Sequence, residues 1–166
     1  MTELIQGNES HLAIIASIAE ETWAEAYKII LSPNQTRFML DTLYSREELL
    51  RTMRNGTQQF ILVKNNGGFQ GFASFGMLEN NPANFKLHKL YVLPVNHGKG
   101  YGKLLIEAVK NAVLNLGGDA LELNVNRDNP AKDFYKRLGF NIIREEDNPI
   151  GEYWMNDYVM RLSLKP

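Results

Sequence analysis

Apolar residues along the chain change period several times, and each change predicts an element. Leu4 and Ile5, with Gln6, begin as a short strand. Ile14, Ile15, Ile18, Thr22 and Trp23 then recur at helical spacing behind Ser10, which is placed to cap that helix. Ser32-Pro33 offers an N-cap and a first-turn proline. Ser45-Arg46-Glu47-Glu48 is a capping box before a short helix that Asn55-Gly56 closes. Residues 59–64 and 69–78 are rich in β-formers and are joined by Asn65-Asn66-Gly67-Gly68, the residue types that a hairpin turn with positive φ demands. Residues 85–93 form a third run, ended by Pro94. Links this short leave no room for a crossover helix, so the three runs predict an antiparallel meander.

Beyond Pro94 the pattern changes. Leu104, Leu105, Ala108, Val109, Ala112, Val113 and Leu116 trace one helical face, which Gly117-Gly118 stops. Residues 120–125 alternate, with Leu121, Leu123 and Val125 apolar, and predict a strand. Strand, helix and strand in that order make a crossover that pairs residues 85–93 with 120–125 in parallel. Asn129-Pro130 is placed to start a further helix with Ala131, Phe134, Tyr135 and Leu138 on one face, ended by Gly139. Residues 140–144 and 153–164 complete the sheet. The predicted fold class is therefore α/β in the α+β sense, with a mixed, mostly antiparallel central sheet, one β-α-β parallel crossover and flanking helices. No linker divides the chain, so residues 1–166 are expected to form one domain.

Composition narrows the partners. Hydrophobic residues make up 44% of the 166 and charged residues 22%, enough to bury one core. A net charge of -1 provides no basic field for a nucleic-acid backbone or an anionic membrane, so neither is expected as a partner. The chain has no cysteine, which removes disulfides, thiolate metal sites and a covalent cysteine mechanism together. The first apolar stretch, residues 12–19, is short and runs into Glu20 and Glu21 without a basic flank, so a cytoplasmic protein is expected.

One segment carries a chemical signal. Leu90-Tyr91-Val92-Leu93-Pro94 leads a strand into His97-Gly98-Lys99-Gly100-Tyr101-Gly102-Lys103 at the head of a helix. Three alternating glycines let backbone N–H groups converge on an anion, and the helix N-terminus adds about half a positive charge. A pyrophosphate suits such a place, and so does a plain tight connection with no ligand. The turn is not a P-loop, because Leu104 follows Lys103 where Ser or Thr would stand. Its GxGxG spacing and the meander before it also depart from the dinucleotide fingerprint.

These residues resemble motif A of the GCN5-related N-acetyltransferases, and Asn129-Pro130-Ala131 through Phe134-Tyr135-Lys136-Arg137-Leu138-Gly139-Phe140 resembles their motif B. The likeness covers about residue 60 to the C-terminus, and the N-terminal helices correspond to the family's variable substrate side. The resemblance implies an acetyl-CoA-dependent N-acetyltransferase with no metal. It implies that Leu90, Tyr91 and Val92 offer backbone groups to the pantetheine arm where two parallel strands splay apart. It further implies that His97, Gly98, Lys99, Gly100, Tyr101, Gly102 and Lys103 hold the pyrophosphate, that Asn129 touches the coenzyme and that Tyr135 stands near its sulfur. The family's pattern begins with Gln or Arg where this chain has His97, so only the backbone role carries over there. A homodimer through the final strand is common in the family and stays open here.

Transfer from a thioester to an amine requires a base, stabilisation of negative charge on the carbonyl oxygen, and a proton for the leaving thiolate. An alkylamine with a pKa near 10.4 is almost wholly protonated at neutral pH, so its proton must go to a base or to water. His88, on the strand before the glycine turn, is the base candidate, against the ordinary reading of a structural histidine. A backbone N–H of residues 90–92 would meet the oxygen. Tyr135 is the acid candidate, against the ordinary reading of a core tyrosine.

The helical segment 10–55 and the region 147–158 are expected to wall the acceptor. Trp23, Tyr27 and Glu25 are the substrate-binding candidates, with Glu20, Glu21, Asp41 and Tyr44 nearby in sequence. Aromatic rings and carboxylates suit a cationic amine, although such charges often do no more than solvate a helix. Glu21-Thr22-Trp23, Tyr27, Ser32-Pro33, Tyr44-Ser45 and Met155-Asn156-Asp157 are also similar to bacterial spermidine/spermine N-acetyltransferases. The acceptor class left open is a small-molecule or peptide amine. A non-catalytic acyl-CoA-binding module and a nucleotide-binding protein remain the alternatives.

Overall fold

The computed structural model describes residues 1–165. Strand β1 (Thr2–Gln6) is followed by helices α1 (Leu12–Ala26), α2 (Pro33–Leu43) and α3 (Arg46–Arg54). The meander follows as β2 (Gln59–Asn65), β3 (Gly68–Leu78) and β4 (Asn81–Val92). Helix α4 (Tyr101–Asn115) leads to β5 (Ala120–Asn126), α5 (Ala131–Arg137), β6 (Asn141–Ile150) and β7 (Tyr153–Ser163). The seven strands form one sheet in the order β1-β2-β3-β4-β5-β7-β6, and only β4 and β5 run parallel.

Local chemistry accounts for most boundaries. Ser32 and Ser45 cap α2 and α3, their hydroxyls accepting from the N–H groups of Gln35 and Glu48. Asn66 and Gly67, at φ of 52° and 81°, turn β2 into β3. Two expected caps are corrected. Asn8, not Ser10, accepts from the Ser10 N–H and opens a single 3-10 turn, so α1 begins only at Leu12. Asn129 closes a short turn onto the Ala131 N–H at 2.9 Å, and α5 starts after Pro130.

The last two strands are longer, or placed otherwise, than periodicity predicts. β6 continues to Ile150 through Arg144, Glu145, Glu146 and Asp147, an exposed edge whose charged residues carry no apolar alternation. β7 is bonded to β5 on one side and β6 on the other. The final strand therefore has both edges occupied within the chain, and the outer strands are β1 and β6.

The sheet separates two apolar clusters. On one face α4 contributes Leu105, Ile106, Val109 and Val113, which pack with Phe75, Phe85, Leu87, Leu121, Leu123 and Val125. On the other, Ile15, Ile18 and Trp23 of α1 join Met39, Leu49, Phe60, Leu62 and Phe72. No helix among the described residues is long and apolar enough to cross a membrane.

Candidate active site

β4 is irregular at one residue, and the site is built around it. Ser74 of β3 faces Lys89, while the next residue, Phe75, faces Leu87, so His88 is an extra residue bulged out of the ladder. The bulge shifts the alternation of side chains. Before it, Phe85 and Leu87 point into the α4 core; after it, Leu90 and Val92 do, and Tyr91 joins the opposite cluster. The parallel pairing with β5 runs from Asn84 opposite Ala120 to Leu87 opposite Leu123, and it ends at the same place. From Lys89 to Val92 the strand is bonded only to β3. Alternate residues there turn their N–H and C=O groups away from β3, into the gap before β5.

The glycine turn stands at the end of this strand. Gly98 and Gly100 have φ of 83° and 84°, a conformation that L side chains rarely adopt, and a Cβ on either would meet nothing within 4 Å. No side chain caps α4. The N–H groups of Gly98, Gly100, Tyr101, Gly102 and Lys103 make no hydrogen bond among the described residues, and the first helical bond is Leu104 N–H to Gly100 C=O at 3.0 Å. An open cradle of donors at a positive helix end fits a pyrophosphate. Gly102 meets a different demand, since a Cβ there would press to 3.2 Å from Phe134 Cζ of α5.

Three side chains of the turn are committed elsewhere. The His97 ring folds back so that Nε2 donates to the Val92 carbonyl at 2.8 Å, which fixes the proton on that nitrogen. Tyr101 accepts from Asn65 Nδ2 at 2.7 Å, and Lys99 donates to Asn96 Oδ1 at 3.1 Å. Asn96 is buried and donates in turn to Gln70 of β3. Gln70 and Asn96 thus brace the turn, a role no sequence motif marks.

Hydroxyl groups gather at the mouth of the gap. Tyr135 packs edge-on against Phe134 and Phe140, with ring centres 5.4 and 5.7 Å away. Its hydroxyl makes no protein hydrogen bond, yet it keeps some exposure. Burial raises its pKa, and the Tyr91 hydroxyl adds to the effect. Tyr91 and Tyr44 share a 2.7 Å hydrogen bond, and Asn129 Nδ2 donates to Tyr27 Oη at 3.3 Å. Trp23 lies against Tyr27 and Tyr44 at 4.4 and 5.6 Å. Its indole N–H is close enough to favour ionisation of Tyr44 and Tyr91, but it meets no acceptor at hydrogen-bonding geometry.

Three charged or ionisable groups complete the face. His88 is largely buried, and burial, reinforced by Lys86 and Lys89, lowers its pKa to about 3. Lys89 is 8% exposed; it donates to Gln58 Oε1 at 2.8 Å and lies 5.4 Å from the Tyr44 ring centre. Burial brings its ammonium down to about 8. Asp157 of β7, opposite Asn126, is 7% exposed, and burial raises its pKa.

Residues 24–163 match the acetyltransferase (GNAT) domain family. The chain belongs to that family. An uncharacterised N-acetyltransferase of Mycobacterium bovis is 26% identical over 147 residues, which span 88% of this chain and 93% of the relative. Among solved structures, the PaiA N-acetyltransferase of Thermoplasma acidophilum in complex with coenzyme A superposes with a TM-score of 0.82 at 24% identity, over 98% of this chain and 99% of that one. The YncA protein of Salmonella typhimurium with its cofactor acetyl-CoA gives 0.71 at 17% identity, over 100% and 95%.

Within this GNAT chain the fold gathers some of the residues singled out from sequence and scatters others. Leu90, Tyr91, Val92, Tyr135, Asn129, Trp23 and Tyr27 lie around the gap, and residues 97–103 close one end of it, whereas the His88 ring stands over Gly76 of β3. Glu25 stands apart. Its side chain is 56% exposed and paired to Lys28 at 2.8 Å, because it lies on the solvent side of the helix that buries Trp23. Glu20 and Asp41 likewise pair with Arg37 on the surface. Lys89 was not singled out; a charged residue midway along a strand that enters the core was the available signal.

Proposed function

We propose that the protein moves the acetyl group of acetyl-CoA to a primary amine by direct displacement. The coincidence of the His88 bulge with the end of β4–β5 pairing carries this reading, because it opens a slot of free backbone groups in line with the glycine turn. Acetyl-CoA supplies the activated acyl group as a thioester. The open N–H groups of residues 98 and 100–103 hold its pyrophosphate, and the β4 backbone at Leu90, Tyr91 and Val92 aligns the rest of the chain. A β4 N–H stabilises negative charge developing on the carbonyl oxygen.

Tyr135 donates the proton that the thiolate takes as the C–S bond breaks and the N–C bond forms. Burial raises the phenol's pKa, and a thiolate leaving into the same apolar surroundings is also a stronger base than in water. The base role is harder for His88. Moving a proton from a free alkylammonium of pKa near 10.4 to an imidazole of pKa about 3 is uphill by on the order of 10 kcal/mol. A water-borne route for that proton is the reading we favour, with His88 a neutral hydrogen-bonding residue. The acceptor is a small cationic amine, polyamines among them, approaching from the face lined by Trp23, Tyr27 and Tyr44.

The test is thiol release from acetyl-CoA with a panel of diamines, monoamines, peptides and aminoglycosides, beside competition binding of CoA, NAD and ATP. Amine-dependent release with CoA-selective binding is expected. Binding without release from any amine would leave only an acyl-CoA-binding module.

A further inference from the structure

The face of the sheet opposite α4 carries a buried carboxylate that no cation neutralises. Asp157 projects there from β7 at the level of Asn126, beyond Leu123, the last β5 residue paired to β4. It is therefore beside the splayed part of the gap. Only Oδ2 is engaged, accepting from Asn124 Nδ2 at 3.3 Å and Asn148 Nδ2 at 3.2 Å. Oδ1 accepts no hydrogen bond, yet it is not sealed from solvent. No Lys, Arg or His among the described residues comes within ion-pair distance of this carboxylate, although it is more than nine-tenths buried.

That is an unusual state for a carboxylate. A buried charge is normally paired, and two long amide hydrogen bonds to one oxygen replace little of its lost hydration. The neighbouring charges do not supply a partner. Lys86 on β4 is near enough to be felt but forms no ion pair, and Glu146 on β6 is of like sign. Arg127 donates to the Asp157 main-chain carbonyl while its guanidinium faces Asp147 and Glu145. Arg161 is turned to Glu122. The Tyr27 and Tyr91 hydroxyls are both within its electrostatic reach.

We infer that Asp157 anchors a second positive charge on the acceptor, so that the enzyme prefers diamines over monoamines. The inference rests on the acetyl-transfer reading above and adds the substrate class to it. One ammonium ion sits on Asp157 Oδ1 near the hydroxyls of Tyr27 and Tyr91, while the other amine, deprotonated, reaches the gap. Asp157 lies one strand beyond β5, and a strand spacing of about 4.8 Å is within the span of a four-carbon chain. Asp157 is a specificity-determining residue here, since it touches the substrate away from the reacting atoms.

The experiment compares 1,4-diaminobutane with butylamine, which has the same chain and no second charge, in wild type and in Asp157→Asn. A charge-assisted hydrogen bond of this kind favours the diamine in kcat/KM by roughly 10- to 100-fold. Asp157→Asn keeps an oxygen for Asn124 and Asn148, and it should erase the preference through the KM for the diamine. The KM for acetyl-CoA, which is held on the other face of the sheet, should stay within about twofold. A wild-type preference below about threefold overturns the inference without any variant. So does a variant that keeps the preference. Turnover with butylamine in either outcome leaves acetyl transfer standing, whereas no turnover with any amine removes both readings.

Discussion

Tyr135 and His88 illustrate how environment sorts two groups of similar sequence appeal. Tyr135 sits in the α4-side cluster, but its hydroxyl is left without a protein partner at the gap. Tyr135→Phe removes one oxygen from a site that does not otherwise use it. Turnover should fall roughly 100-fold, the lower end for loss of a positioned acid, while the dissociation constant for acetyl-CoA stays nearly constant. Steady-state kinetics beside calorimetric binding separates the two, and an unaltered kcat would take the acid role away. His88 is best tested through stability. Its folded pKa of about 3 lies below the ordinary 6.5, so between these values the unfolded chain binds a proton that the folded protein refuses. This contribution is complete above pH 6.5 and is lost as pH falls towards 3. Urea unfolding at pH 7 and 4.5 should show wild type losing on the order of 2 kcal/mol relative to His88→Leu, in which Lys86 and Lys89 are retained. Parallel losses would mean that the imidazole is protonated in the fold.

At the scale of elements, the strand-turn-helix from β4 to α4 concentrates the chemistry. Gly100 precedes α4 at φ of 84° and faces open space, so Gly100→Val introduces a strained backbone and a side chain over the free N–H groups at once. Affinity for acetyl-CoA should fall at least tenfold by calorimetry, with the unfolding midpoint shifted only modestly because the turn is exposed. Wild-type affinity would place the pyrophosphate elsewhere. This element was also the most legible in the sequence, since glycine spacing and helical period both act over a few neighbouring residues. The bulge left one mark that the strand reading passed over. Phe85 and Leu87 alternate, then His88-Lys89 doubles the polar step before Leu90 and Val92, and which residue is extra is defined only by the partners Ser74 and Phe75, fourteen or so positions away. The same limit applies to Glu25, whose exclusion from the site depends on which side of α1 meets the sheet. β6 was under-read for a simpler reason: an exposed edge has no apolar alternation to follow.

For the whole molecule, the sheet acts as a partition between two half-sites. The glycine turn, α4 and Tyr135 belong to one cluster, while Trp23, Tyr27, Tyr44 and Tyr91 belong to the other. Ordinary strand alternation lets consecutive β4 residues serve both sides, and the bulge at His88 sets which, with Leu90 and Val92 facing α4 and Tyr91 facing α1. Damage to one core should therefore be felt mainly by the ligand on that face. Ile106 and Met39 are fully buried at 1% and 0% exposure, one on each side, and truncation of either to Ala should cost about 2–5 kcal/mol of stability. Their functional signatures should diverge. Ile106→Ala loosens the helix that presents the open N–H groups, so acetyl-CoA affinity falls several-fold and the amine KM changes little. Met39→Ala loosens the α1–α2 wall, so the amine KM rises several-fold at unchanged acetyl-CoA affinity. Calorimetry with acetyl-CoA and initial rates over a range of amine concentrations distinguish these patterns. If both constants move together in both variants, strain crosses the sheet, and the two half-sites are one mechanical unit.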